Sequence, residues 1–120
     1  MKPVINNTQF GSITIDNHKY NQDVFINSKG DVHIRKMELS KEVTGTSHVV
    51  SADELKFIQE TEISDIIIGT GQNGVMTVSE EGIKYLESVG CKYHILPTPQ
   101  AMKIWNETDS ISAGLFHVTC

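Results

Sequence analysis

The chain has 120 residues, with ten basic against fifteen acidic side chains and a formal net charge of −5 with histidines neutral. That balance argues against a nucleic-acid reader, which needs a cationic footprint on phosphates. At 38% apolar residues the composition lies above that of a disordered chain, and apolar runs such as Ile66–Ile68 are far too short to cross a bilayer. A folded monomer of this size should expose roughly 6,500 Å² against about 19,000 Å² when extended, enough burial for one core. The expectation is a single domain over residues 1–120, mainly β over 1–50 and alternating α and β over 51–120.

In chain order, Phe10, Ile13 and Ile15 are strand formers, and Asp16-Asn17 makes a turn towards Tyr20. Val24–Ile26, a turn over Ser28–Asp31, and Val32–Ile34 read as a hairpin. Met37–Ser47 carries Gly45 and the hydroxyl residues Ser40, Thr44, Thr46 and Ser47 with little periodicity, and reads as a loop. Ser51-Ala52-Asp53-Glu54 is a capping box, in which the Ser51 hydroxyl takes the Glu54 amide and the Glu54 carboxylate takes the Ser51 amide. A short helix follows, with Leu55 and Ile58 inward, to about Glu60. Asp65–Gly69 has the unbroken apolar run of a strand covered on both faces. Ser79 caps a second helix, with Ile83, Leu86 and Val89 inward and Gly90 as its stop. Tyr93–Leu96 is a strand. Thr98-Pro99 opens a third helix, with Thr98 as cap, carrying Ala101, Met102, Ile104 and Trp105 and ending near Asn106. Ile111–Val118 is the last strand. Short αβ connections favour parallel pairing. The fold class is therefore α/β: a three-layer domain whose mixed central sheet has parallel C-terminal βαβ units and N-terminal hairpins.

Gly69-Thr70-Gly71-Gln72-Asn73-Gly74 fits G-x-G-x-x-G after a strand. Three features oppose dinucleotide binding. Val75–Val78 is mostly β-branched where the fingerprint's helix should start. Ile95-Leu96-Pro97 stands where an acidic residue belongs. The chain is also short for a dinucleotide domain plus a substrate region. Turn glycines with positive φ are the plainer reading. A softer expectation survives, because ligands collect beyond the carboxyl ends of strands. If the strands ending at Ile68 and Leu96 are neighbours, Gly69, Thr70, Gly71, Gln72, Asn73 and Gly74 face Thr98 and Gln100. A small anion, a nucleotide or another polar ligand could be held there.

No catalytic constellation emerges. His18, His33, His48, His94 and His117 lack the i, i+4 spacing that puts two ligands on one helix face, so no metal or cofactor is expected. His117 reads as a half-buried sheet histidine with a hydrogen-bond partner. Cys91 falls at a helix C-terminus and Cys120 beside a carboxylate, both unfavourable to a thiolate. Two such cysteines do not suggest a disulfide scaffold. Asp53-Glu54 and Glu80-Glu81 read as first-turn carboxylates on helix dipoles, and Trp105 as core. Met1–Gly11 has one lysine and no apolar run, unlike a signal peptide, so the cytoplasm is the expected location.

Phe10-Gly11-Ser12-Ile13, Ile67–Gly71, Thr98-Pro99-Gln100-Ala101 with Asn106, and Gly114–Cys120 together resemble one family. It is the domain-of-unknown-function family that includes archaeal hypothetical proteins, the mammalian adipogenesis-associated domain protein and, distantly, a mitochondrial complex I assembly factor. The resemblance covers nearly the whole chain and is nearer to the adipogenesis-associated branch. It implies a compact three-layer α/β domain and no reaction that carries over by residue. It also suggests protein contacts of an assembly or regulatory kind. The expected function is thus a non-catalytic binding or assembly domain, with a protein partner or a homodimer. It should show an exposed apolar patch involving Met37–Ser47 or a symmetric interface. The alternative is a binding protein or enzyme for a small nucleotide or anion at residues 69–74.

Overall fold

Alternation along the strands decides the layers. In the computed structural model, which describes residues 2–59 and 63–120, Ile66 and Ile68 enter one buried cluster while Ile67 enters another. All three are fully buried. They lie in β7 (Asp65–Thr70), the strand predicted from its unbroken apolar run. Successive side chains of a strand point to opposite faces, so a strand covered on both sides is apolar throughout.

The strands in chain order are β1 (Ile5–Gln9), β2 (Ser12–Ile15), β3 (His18–Tyr20), β4 (Val24–Ile26), β5 (Val32–Ile34), β6 (Val49–Val50), β7, β8 (Thr77–Val78), β9 (Lys92–Leu96) and β10 (Ser112–His117). The helices are α1 (Glu38–Thr44), α2 (Ala52–Ile58), α3 (Glu80–Ser88) and α4 (Thr98–Glu107). The central sheet runs β5-β4-β10-β7-β9. β7 pairs in parallel with both β10 and β9. β4 pairs antiparallel with β10 and β5. The sheet is mixed, as expected, but only the second hairpin joins it. The first makes a separate sheet, β1-β2-β3, turned at Asp16 (φ 49°) and Asn17 (φ 66°). β6 and β8 form a short parallel pair.

One face of the central sheet packs Leu55 and Ile58 of α2 and Leu86 of α3 against Ile66, Ile68 and Leu115. The other packs Ala101 and Trp105 of α4, with Ile5, Ile13 and Ile15 of the small sheet, against Ile67 and Phe116. Trp105 is core, as read from the sequence. It is fully buried, its ring stands edge-on to Phe116 at 5.9 Å, and its Nε1 donates to the Pro3 carbonyl at 2.9 Å. The folded surface, 6114 Å², lies near the size-based expectation.

Several local readings change. Met37–Ser47 is not a loop throughout, since α1 occupies its middle and stops at Gly45 in the left-handed region (φ 82°). No side chain caps its start, so the usual N-terminal signal is missing. Ser51 and Ser79 do cap α2 and α3, accepting from the Glu54 and Gly82 amides at 3.2 and 3.0 Å. Only half of the capping box forms, because the Ser51 amide donates to the Ser40 hydroxyl instead. The expected end of α2 at Glu60 lies outside the described residues. Val89, expected inward, is 44% exposed, because α3 ends before it.

Candidate functional site

β7 and β9 are adjacent, so the loops after Ile68 and Leu96 do come together. Thr98 sits at their junction, inside the first turn of α4 rather than at its cap, which is Pro97. Its hydroxyl accepts from the Gly71 amide at 2.9 Å and donates to the His117 carbonyl at 2.6 Å. Its own amide donates to the Gly71 carbonyl at 2.9 Å. The capping role expected for Thr98 is therefore corrected. One buried hydroxyl ties α4 to the ends of β7 and β10. Gly69 has no room for a side chain, since a Cβ would lie 2.7 Å from that hydroxyl.

The glycine loop lies against residues 119–120. The Gln72 amide donates to the Thr119 carbonyl at 2.7 Å, and the Asn73 and Val75 amides both donate to the Cys120 main-chain oxygen at 3.1 Å. Gly71 (φ 105°) carries the closest approach, with a Cβ only 2.3 Å from the Cys120 carbonyl carbon. Gly74 (φ 69°) rests on the Pro97 ring. Thr70 is buried and its carbonyl accepts from Met76. The Gln72 side chain donates to the Thr8 hydroxyl at 3.0 Å. Gln100 is exposed, and its amide bonds the Pro97 carbonyl within the turn.

A buried charge cluster lies behind this end of the sheet, and the sequence pattern did not mark it. Arg35, just after β5, is 2% exposed. Its Nε and Nη2 donate to the two oxygens of Glu54 at 2.8 and 3.0 Å, its Nη1 to Asp23 at 3.0 Å, and its Nη2 also to the Ser47 carbonyl. Asp23 in turn takes His117 Nδ1 at 2.7 Å and the Val118 amide at 2.9 Å. Burial works against the Asp23 charge, but His117, Val118 and Arg35 outweigh it and hold its carboxyl below the ordinary value. The Ser40 hydroxyl completes the Glu54 shell. His117 is fully buried rather than half-buried, and Thr119 Oγ1 lies 3.2 Å from its Nε2. Among the described residues no buried side-chain nitrogen or oxygen lacks a hydrogen-bond partner. The cluster is hydrogen-bonded throughout and reaches the surface beside the exposed His48, whose ring lies 5.5 Å from that of His117.

Exposed apolar groups gather at the β5 edge of the central sheet. Ile34 and Phe57 are 56% and 52% exposed. Phe25 stacks on His33 at 5.1 Å and meets Phe57 edge-on at 5.6 Å. With Lys36 and Ile58 these rings line a groove of about 340 Å³. A second cleft, about 390 Å³, lies near Lys2, Asn27, Asn106 and Ser110. Near its rim Asp65 accepts from Ser110 and Ser64 at 2.7 and 3.0 Å and pairs with His94 at 2.9 Å. Cys91 is buried, which together with Asp65 pushes its thiol up, away from a thiolate. Among the described residues no three His, Cys, Asp or Glu are grouped to hold a metal ion. No described helix is long and apolar enough to cross a membrane.

The family model described as a protein of unknown function (DUF498/DUF598) matches residues 5–112. The conserved hypothetical protein PH1505 from Pyrococcus horikoshii OT3 is similar at 30% identity and a TM-score of 0.89, over 100% of each chain. The solved structure named MT938 is similar at 30% identity and a TM-score of 0.84, over 99% of this chain and 100% of the other. A Bordetella pertussis protein described as a Mth938-like domain shares the fold at 15% identity and a TM-score of 0.64, over 97% and 85% of the two chains.

Proposed function

The chain belongs to the family of proteins of unknown function DUF498/DUF598, and from that premise we propose a non-catalytic binding domain with an assembly or regulatory role. Its docking surface is the β5 edge with the Phe25–His33–Phe57 groove. One observation carries this reading. Arg35, Glu54, Asp23 and His117 bond to one another inside the protein, while the exposed rings and Ile34 converge on an open strand edge. An apolar patch beside unpaired main-chain groups is a surface suited to a partner strand. The assembly or regulatory kind of partner is what the family resemblance suggests, and a cytoplasmic location goes with it. Affinity capture with wild type and Ile34→Lys tests the reading. A partner held by wild type and lost from the variant is expected. A partner held equally by both sinks the assignment of this edge.

A second reading keeps the glycine loop. The Asn73 and Val75 amides converge on a single oxygen, an arrangement that suits an anionic oxygen. A nucleotide or small anion would have to displace residues 119–120 to reach it. Thermal-shift screening with nucleotides, phosphosugars and inorganic phosphate decides. A stabilisation that grows with ligand concentration supports this reading, and no shift at millimolar ligand removes it.

A further inference from the structure

β5 ends the central sheet, and its hydrogen-bonding pattern is fixed by its neighbour. The Arg35 amide donates to the Asp23 carbonyl at 3.0 Å, and the Asn27 amide to the Asp31 carbonyl at 3.1 Å. Both pairs lie in the register that sets Phe25 opposite His33. Hydrogen-bonded and non-hydrogen-bonded pairs alternate along an antiparallel ladder. The N–H and C=O groups of Val32 and Ile34 therefore point away from β4, into the open. Four main-chain groups on one short strand are left to find partners outside the sheet.

We propose that their partner is β5 of a second copy of this chain, paired antiparallel about a two-fold axis at His33. The proposal deepens the docking reading above and rests on it. The strand is self-complementary in that register. Val32 of each copy falls opposite Ile34 of the other in a hydrogen-bonded pair, so all four outward groups of each strand are matched. His33 faces His33 of the other copy in a non-hydrogen-bonded pair. A one-residue slip would set inward-directed groups against the edge, and longer slips match fewer groups.

Side chains fit the same register. On one face the row Phe57–Phe25–His33 continues into the same row of the second copy, so the exposed Phe57 groove becomes part of one aromatic band. On the other face Ile34 meets Val32 across the axis, covering a residue now 56% exposed. Such cross-strand apolar pairs are the stabilising unit of a sheet. The charges agree as well. A lysine beside an edge strand usually repels a second strand. Here Lys36 falls opposite Gly30 of the second copy, which has no side chain, and next to the exposed Asp31 carboxylate. A closed two-fold pair uses up both edges and does not propagate.

Two measurements on the full chain test this. Sedimentation equilibrium from about 1 to about 200 µM should give a concentration-dependent dimer for wild type and a monomer for Ile34→Lys, with unchanged far-UV circular dichroism. In a Cys120→Ser background, His33→Cys should form a covalent dimer under mild oxidation. Residues facing each other in a non-hydrogen-bonded pair have Cα atoms about 4.5 Å apart, within disulfide reach. Lys29→Cys, four residues from the axis, should not. A dimer that survives Ile34→Lys without His33 crosslinking overturns the proposal. A monomeric wild type that still loses a captured partner on Ile34→Lys overturns the second copy but keeps the docking edge. A monomer with no such loss overturns both.

Discussion

Arg35 and Glu54 meet fork to fork inside the protein, with Nε–Oε2 at 2.8 Å and Nη2–Oε1 at 3.0 Å, and neither side chain touches solvent. The pair joins the segment after β5 to α2. A buried ion pair brings little net stability, because both charges lost their water. Removing one partner is another matter, since it strands the other charge in the core. Arg35→Met should destabilise by about 3–5 kcal/mol, as should Glu54→Met. The double variant Arg35→Met/Glu54→Met should cost less than the sum of the singles. Urea denaturation of all three checks this. Additive losses would show that the two residues do not act as a pair.

Acid should attack the same cluster. Asp23 is held below the ordinary carboxylate value of 3.8 by His117, the Val118 amide and Arg35, which together outweigh its burial. A carboxyl lowered in the folded state adds stability that is full above its unfolded value and is lost as pH falls through the folded one. Asp65 has the same sign through His94, Ser110 and Ser64. The melting temperature should therefore be flat near neutrality and fall below about pH 4. Asp23→Asn should start lower and lose part of that acid slope. An identical slope in wild type and Asp23→Asn would place the acid sensitivity elsewhere.

Glu54 also shows what a sequence can and cannot carry. Ser51-x-x-Glu54 is a capping pattern, and the Ser51 half of it forms. Local spacing cannot say whether the carboxylate reaches back to Ser51 or inward, because the group that turns it inward is Arg35, nineteen residues earlier. His117 and Asp23 are ninety-four residues apart and equally invisible to periodicity. By contrast β7, the Ser51 and Ser79 caps and the Asp16-Asn17 turn are local devices, and all were legible. The short α1 lacked a cap signal and was not. The β5 hairpin was read correctly, yet its place at the edge depends on the order of distant strands. The exposed edge at Ile34 and Phe57 could not have been found before the topology.

Gly71 separates backbone strain from crowding. Gly71, Gly45 and Gly90 all have positive φ, at 105°, 82° and 71°. A side chain at Gly45 or Gly90 would meet open space, whereas one at Gly71 would strike the Cys120 carbonyl carbon at 2.3 Å and the Thr119 oxygen at 2.7 Å. Gly90→Ala should thus cost only the strain of a left-handed residue, about 1–2 kcal/mol. Gly71→Ala should cost clearly more, because the crowding atoms are backbone and cannot rotate away. It should also push residues 119–120 off the loop and free the Gln72, Asn73 and Val75 amides. Hydrogen exchange should show those three amides losing protection in Gly71→Ala and keeping it in Gly90→Ala. Equal stability losses in the two variants, with the three amides still protected, would mean that the contact with residues 119–120 does not require glycine at 71.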